Sequence, residues 1–276
     1  MAVQTGVEVL FGEQMGLLRG RRVGLITNPT GVDGRLRSTA ELFRDNSDFH
    51  LTALYGPEHG VRGNAQAGEF VDYYQDEHLG VPVFSLYGQA LKLPDAPLAD
   101  IDVTMRSFDT QHTGKTVEHA MLRGVETLVF DLQDVGTRVY TYVATMAYAM
   151  QAAAEAGIPF VVLDRPNPLG GLRIEGTLVE QEKLRSFVSQ WDVPYVYGLT
   201  CGELARMIND RGWIKQACKL TVVPMRGWRR PMVWADTGLP WVPASPHVPR
   251  GDSPLFQVAT GMIGEIGNVN IGVGYT

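Results

Sequence analysis

Apolar residues fall in short runs rich in β-branched side chains, each closed by polar residues. Through the first two thirds of the chain these runs alternate with stretches of helical character. That alternation is the pattern of a parallel sheet with crossover helices. Residues 21–28 (RRVGLITN) predict the first strand, followed by a turn and a helix over 38–46. Residues 49–56 (FHLTALYG), 81–88 (VPVFSLYG), 125–134 (VETLVFDLQD) and 158–166 (IPFVVLDRP) predict the second to fifth strands. The strongest helix signal is 142–157, rich in Ala and Met and closed by Gly157 ahead of the fifth strand.

Beyond residue 185 the texture changes. All five tryptophans (Trp191, Trp213, Trp228, Trp234, Trp241) lie there, and the alternation weakens. Thr200 followed by Glu203 forms a capping box ahead of Leu204, Met207 and Ile208, which predicts a helix. KLTVVPM (219–225) predicts one more strand. Prolines at 240, 243, 246 and 249 suit polyproline II, forbid a helix and predict a rigid loop folded against the cleft, anchored by Trp241. The expected organisation is a Rossmann-like α/β part over 1–185 with a mainly parallel sheet, and a second, smaller C-terminal subdomain over 186–276.

Composition narrows the function classes. Apolar residues make up 45% and charged residues 20% of 276 residues, which is ordinary globular composition and excludes disorder and collagen. A net charge of -6 without a basic block argues against a nucleic-acid partner. No apolar run approaches the roughly 18–20 residues needed to span a bilayer, so membrane insertion is not expected. The N-terminus lacks a signal-peptide pattern, so the chain as written is expected in the cytoplasm, or outside the cell if its N-terminus was trimmed. The only cysteines, Cys201 and Cys218, are too few and too far apart for a disulfide framework.

The fingerprints of nucleotide and metal chemistry fail. TGKT (113–116) resembles the end of a phosphate loop, but Asp109 stands where the motif needs Gly. The turn after the first strand, NPTGVDG, has no GxGxxG, and neither HExxH nor GxSxG occurs. The six histidines show no metal-ligand spacing, so neither a metal nor a cofactor is expected.

Ligands of open parallel sheets bind at the carboxyl ends of the strands. The residues there are Asn28 after the first strand, Glu58, His59 and Arg62 after the second, and Tyr87 after the third. The fourth contributes Asp131, Gln133, Asp134, Arg138 and Tyr140, and the fifth Asp164, Arg165 and Asn167. In YGPEHGVRG (55–63), Pro57 blocks helix entry while Gly56, Gly60 and Gly63 permit tight turns, which holds the Glu58 carboxylate on a constrained loop. Glu58 reads either as a site carboxylate or as a solvated partner of Arg62. Gln66 and Glu69 either bind a polar ligand or pin the loop. Gln133, Asp134, Arg138 and Tyr140 precede a helix whose amides suit an anion, with an Asp134 to Arg138 ion pair as the structural alternative. Asp164 either faces the site or serves the turn. A tryptophan face stacks on sugar, although core packing is the plainer use.

ITNPTGVD, GPEHGVRGNAQAGE, PVFSLYG, VFDLQDVGTRVYTY, VVLDRPNPLGG, YGLTCGELARMI and WADTGLPWVPASP together resemble the exo-β-N-acetylmuramidase family, from about Gly6 to Pro249. The resemblance implies a Rossmann-like subdomain, a smaller C-terminal one and a cleft between them. It also implies a glycoside hydrolase that releases N-acetylmuramic acid from the non-reducing end of peptidoglycan fragments, with Glu58 of GPEHG as the catalytic glutamate. Its partner would be a peptidoglycan saccharide or muropeptide. A non-catalytic binding protein for cell-wall sugars is the alternative. Glycosidase chemistry needs a second group, for which Asp134, Glu69, Asp164, Tyr87 and the sugar's own acetamido group are the candidates. The lactyl carboxylate would suit Arg138, Arg62 or the helix N-terminus. Two departures stand out: residues 100–124 look longer than the family's segment, and family members extend past Thr276, which would leave the second subdomain incomplete.

Overall fold

The computed structural model describes residues 2–66, 69, 71–87, 119–180, 183 and 186–264. The TGKT tetrapeptide and most of the atypical 100–124 stretch lie outside the described residues. Seven strands form one sheet: β1 (Arg22–Thr27), β2 (His50–Gly56), β3 (Tyr74–Asp76), β4 (Val81–Ser85), β5 (Thr127–Asp131), β6 (Phe160–Leu163) and β7 (Leu220–Val223). Their order is β3-β4-β2-β1-β5-β6-β7, parallel throughout except for the antiparallel β3–β4 pair at one edge. The protein is an α/β fold with a mostly parallel sheet.

Strand residues alternate between two apolar layers, as the pleat requires. Leu128, Phe130, Phe160 and Val162 face α3 (Thr141–Glu155) and α4 (Cys201–Asp210), whereas Val129, Val161 and Leu163 face α1 (Gly6–Val9) and α2 (Thr39–Arg44). α3 is buried along most of its length, and its alanines let it lie close to the sheet. It ends where the sequence predicted, with Gly157 at φ 72° in the left-handed region. α4 carries the expected capping box: Thr200 Oγ1 accepts from the Glu203 amide at 3.2 Å, and Glu203 accepts from the Thr200 amide at 3.0 Å.

Two features depart from the sequence reading. The strands after residues 81, 125 and 158 are shorter than read, because the polar residues that close them, such as Gln133 and Arg165, bond to side chains and loops instead of the ladder. β3 went unread, since three residues, YQD, are too few to show a period. Beyond residue 185 the chain returns to the sheet: α4 packs in the same apolar layer as α3, and β7 pairs with β6 from Phe160↔Leu220 to Leu163↔Val223. After β7 the chain runs through the proline-rich segment to α5 (Ser253–Gly264). That segment is folded as expected. Ala244 and Val248 are buried with Val135, against Tyr140 and Trp241, and Trp241 Nε1 donates to the Val248 carbonyl at 3.0 Å.

Candidate active site

The segments after β2 and β4 and the start of α3 meet at Glu58, and the proline-rich loop is bonded to the next residue of α3, Tyr142. The chain leaves β2 at Gly56, where a Cβ would stand 2.6 Å from the Val61 amide, so only glycine fits the turn. The loop then closes on itself, with the Gly60 amide donating to the Pro57 carbonyl at 2.8 Å. His59, with φ at 71°, occupies the left-handed region that costs a non-glycine residue energy. Its buried ring Nδ1 lies 2.9 Å from the Ala65 carbonyl, which compensates part of that cost. The backbone beside Glu58 is thus strained and fully specified.

Glu58 is half-buried, and its Oε2 accepts from Thr141 Oγ1 at 2.8 Å. Tyr87 faces the same carboxylate. Burial and the Glu58 charge together push the Tyr87 hydroxyl up to about 12, so it stays protonated at ordinary pH. The Ser85 hydroxyl donates to the Tyr87 carbonyl at 2.8 Å, and the Tyr87 ring packs on Phe187 with centroids 5.9 Å apart. Tyr142, the next residue of α3, is buried beside them: its hydroxyl donates to the Ala244 carbonyl at 2.6 Å and accepts from Asn28 Nδ2 at 2.8 Å. Asn28 Oδ1 in turn accepts from the amide and hydroxyl of Thr30 at 2.9 and 2.6 Å. Glu58 is thus joined to Thr141 and Tyr87, while Asn28 is joined to Tyr142. The sequence reading passed over Thr141 and Tyr142.

The remaining candidates are committed elsewhere. Arg62 is ion-paired with Asp76, not with Glu58. Arg138 Nη1 donates to the carbonyls of Thr177 and Val193 at 2.8 and 2.7 Å, so the Asp134 to Arg138 ion pair is not formed. Asp164 accepts from Thr200 Oγ1 at 2.8 Å and the Gly202 amide at 2.9 Å, which makes it part of the α4 N-terminus. Arg165 forks onto Asp131, and Asn167 bridges the Leu199 carbonyl and the Leu169 amide. Glu69 accepts from the Gln66 amide at 2.7 Å, the loop-pinning arrangement. Gln133 Nε2 donates to the carbonyls of Asp134 and Pro166 at 2.7 and 2.8 Å.

Asp134 accepts from Tyr197 and from the Gly136 amide, while its Oδ1 is buried without a partner, as is the hydroxyl of the adjacent Tyr140. Burial pushes Asp134 up to about 6, against those hydrogen bonds. Asp164 reaches about 6 for the same reason, opposed by Gly202 and Thr200. Cys201, first in α4, is no activated thiol, because burial beside Asp134 raises it well above its usual range. Among the described residues no group of three or more His, Cys, Asp or Glu could hold a metal, and no helix is long and apolar enough to cross a membrane.

The two raised carboxyls predict a pH-dependent stability. Each binds its proton more tightly in the folded protein, near 6, than an ordinary aspartate does in the unfolded chain, near 3.8, so stability falls as pH rises from about 4 to about 6. Asp33 and Asp76, also buried, are instead held low by backbone amides and by Arg37 and Arg62, and lose their contribution only in stronger acid. The melting temperature is expected to be higher at about pH 4.5 than at 7, with a smaller difference in Asp134→Asn. Thermal melts across that range check it, and a flat or rising curve contradicts it.

Known proteins are similar to this chain along nearly its whole length. The family model for the N-terminal part of the exo-β-N-acetylmuramidase NamZ matches residues 23–117 and 110–252, two stretches that overlap within the segment read as departing from the family pattern. The peptidoglycan β-N-acetylmuramidase NamZ of Bacillus subtilis (strain 168) is 48% identical over 274 residues, 99% of this chain and 59% of its own length. Two crystal structures of DUF1343 family proteins from Bacteroides fragilis NCTC 9343 share the fold. BF0371 is 46% identical with a TM-score of 0.84, over 100% of this chain and 63% of its own. BF0379 is 28% identical with a TM-score of 0.70, over 93% and 60%. The chain thus spans about three fifths of the length of these relatives. A family model covering most of the sequence, and a relative at this identity along nearly all of it, place the chain in the NamZ exo-β-N-acetylmuramidase family, whose N-terminal part it matches.

Proposed function

We propose that the protein is a glycoside hydrolase that removes N-acetylmuramic acid from the non-reducing end of peptidoglycan fragments, with Glu58 as the acid that protonates the leaving oxygen. The observation that carries this reading is the placement of Glu58: a carboxylate on a strained loop at the carboxyl end of a parallel sheet, bonded by Thr141 and faced by Tyr87. The two cationic side chains of its own loop are engaged elsewhere, Arg62 with Asp76 and His59 with Ala65.

The second group follows by placement. Asp164 belongs to the α4 cap and Asp134 is buried against Tyr197, so neither is arranged as a nucleophile. Tyr87, protonated, is suited to donate a hydrogen bond where charge develops rather than to attack. The acetamido carbonyl of the substrate itself fits the role of internal nucleophile, with Glu58 giving its proton to the departing oxygen and then taking one from the incoming water. Asn28 and Tyr142 would shape the wall of the sugar site.

The test is turnover of a nitrophenyl β-glycoside of N-acetylmuramic acid, against the matching N-acetylglucosamine glycoside as control. Release from the first substrate alone supports the reading. Tight binding of muramic acid without release would replace it with a cell-wall sugar binding protein.

A further inference from the structure

The two long helices at this edge of the sheet begin differently. α4 starts with its Thr200 capping box, but α3 has Tyr140 at its N-cap, with no side-chain hydrogen bond to the helix. One residue on, Thr141 turns its hydroxyl away from its own helix and onto Glu58 Oε2, 83 positions distant in sequence. A threonine inside a helix usually bonds back to a carbonyl of the preceding turn. In the first turn that acceptor is absent, so the hydroxyl is available to a distant partner. The Thr141 carbonyl remains in the helix, accepting from Thr145 Oγ1 at 3.1 Å, and the side chain is buried. Loss of the hydroxyl would leave both the cap and the helix ladder intact.

We propose that Thr141 is a positioning residue for the glycosidase reaction, fixing Oε2 of Glu58 through both of its protonation states. The inference rests on the reading of Glu58 as the acid. A hydroxyl suits the task because it donates to a carboxylate and accepts from a carboxylic acid. An amide or a cation would bond the ionised form only. Among the described residues, Tyr87, from the segment after β4, also bonds to Glu58, and Tyr142, from α3 itself, feels its charge. The Asp134 charge acts on Tyr142 from behind. Thr141 thus ties the carboxylate to the rigid body of α3, and its removal loosens Oε2 and withdraws a donor from the charged form.

Thr141→Val, Thr141→Ala and Thr141→Ser, made in the full chain, test this. In the valine and alanine variants kcat is expected to fall about 10- to 100-fold, the loss typical of one hydrogen bond to a charged group, with KM little changed. Thr141→Ser should stay within about threefold of the parent, because it keeps the hydroxyl. A loss carried by KM instead of kcat, or a serine variant as impaired as the valine one, overturns the positioning role. Failure of the parent protein to cleave the muramic acid glycoside overturns the functional reading instead. If Thr141→Val fails to fold, Thr141→Ala carries the same comparison.

Discussion

Glu58→Gln is expected to lower turnover about 10²–10⁴-fold, the usual contribution of a positioned acid or base, without loss of fold or sugar binding. The amide keeps the size of the carboxyl and still accepts from Thr141 Oγ1, 2.8 Å away in the parent, but it has no proton to give. The leaving group makes the test sharper. Nitrophenolate departs with little help from an acid, whereas the alkoxide of a natural disaccharide needs a proton. The variant should therefore lose less activity on the nitrophenyl glycoside than on the disaccharide. Equal losses on both would assign Glu58 an electrostatic or nucleophilic role. An unchanged rate on both would reduce it to a loop residue.

How far the sequence carried depends on which atoms set each feature. Strands, α3 and the α4 capping box were legible because local rules fix them: β-branched runs buried on both faces, alanine and methionine over one long helix, Thr200 three residues before Glu203. The site was legible only in part. Polar residues at strand ends mark the functional edge of a parallel sheet, but the same edge must also start the next helices and close the loops. Asp164 serves that structural need at α4, and Asn167 does so between Leu169 and Leu199. Spacing alone does not separate the two uses. Thr141 and Tyr142 were missed for the converse reason. They read as the first turn of an apolar helix, and their partners, Glu58 and Ala244, are brought to them by loops 83 and 102 positions away. One signal was in the chain: a long helix opening on Tyr140-Thr141 without a good N-cap.

Arg165 gives the largest expected effect on stability, and it separates the structural from the ligand-binding use of strand-end charges. Its guanidinium forks onto Asp131, Nε to Oδ1 at 2.6 Å and Nη2 to Oδ2 at 2.9 Å, and Nη2 also donates to the Val32 carbonyl at 2.8 Å. Asp131 Oδ2 further accepts from Thr39 Oγ1 at 2.6 Å, at the first residue of α2. One ion pair thus ties the end of β5, the segment after β6, the loop after β1 and the start of α2, with Asp131 0% and Arg165 4% exposed. Removing one partner of a buried pair leaves the other charge uncompensated, at a cost of roughly 3–5 kcal/mol, whereas replacing both by groups of similar volume is often close to neutral. Arg165→Met is accordingly expected to lower the melting temperature by about 6–15 °C, at the few degrees per kcal/mol typical of a domain this size. Asp131→Asn combined with Arg165→Met should recover part of that loss, since the buried charge is gone. If Arg165 instead served to hold the substrate, Arg165→Met would raise KM with an unchanged melting temperature, and the double variant would recover nothing.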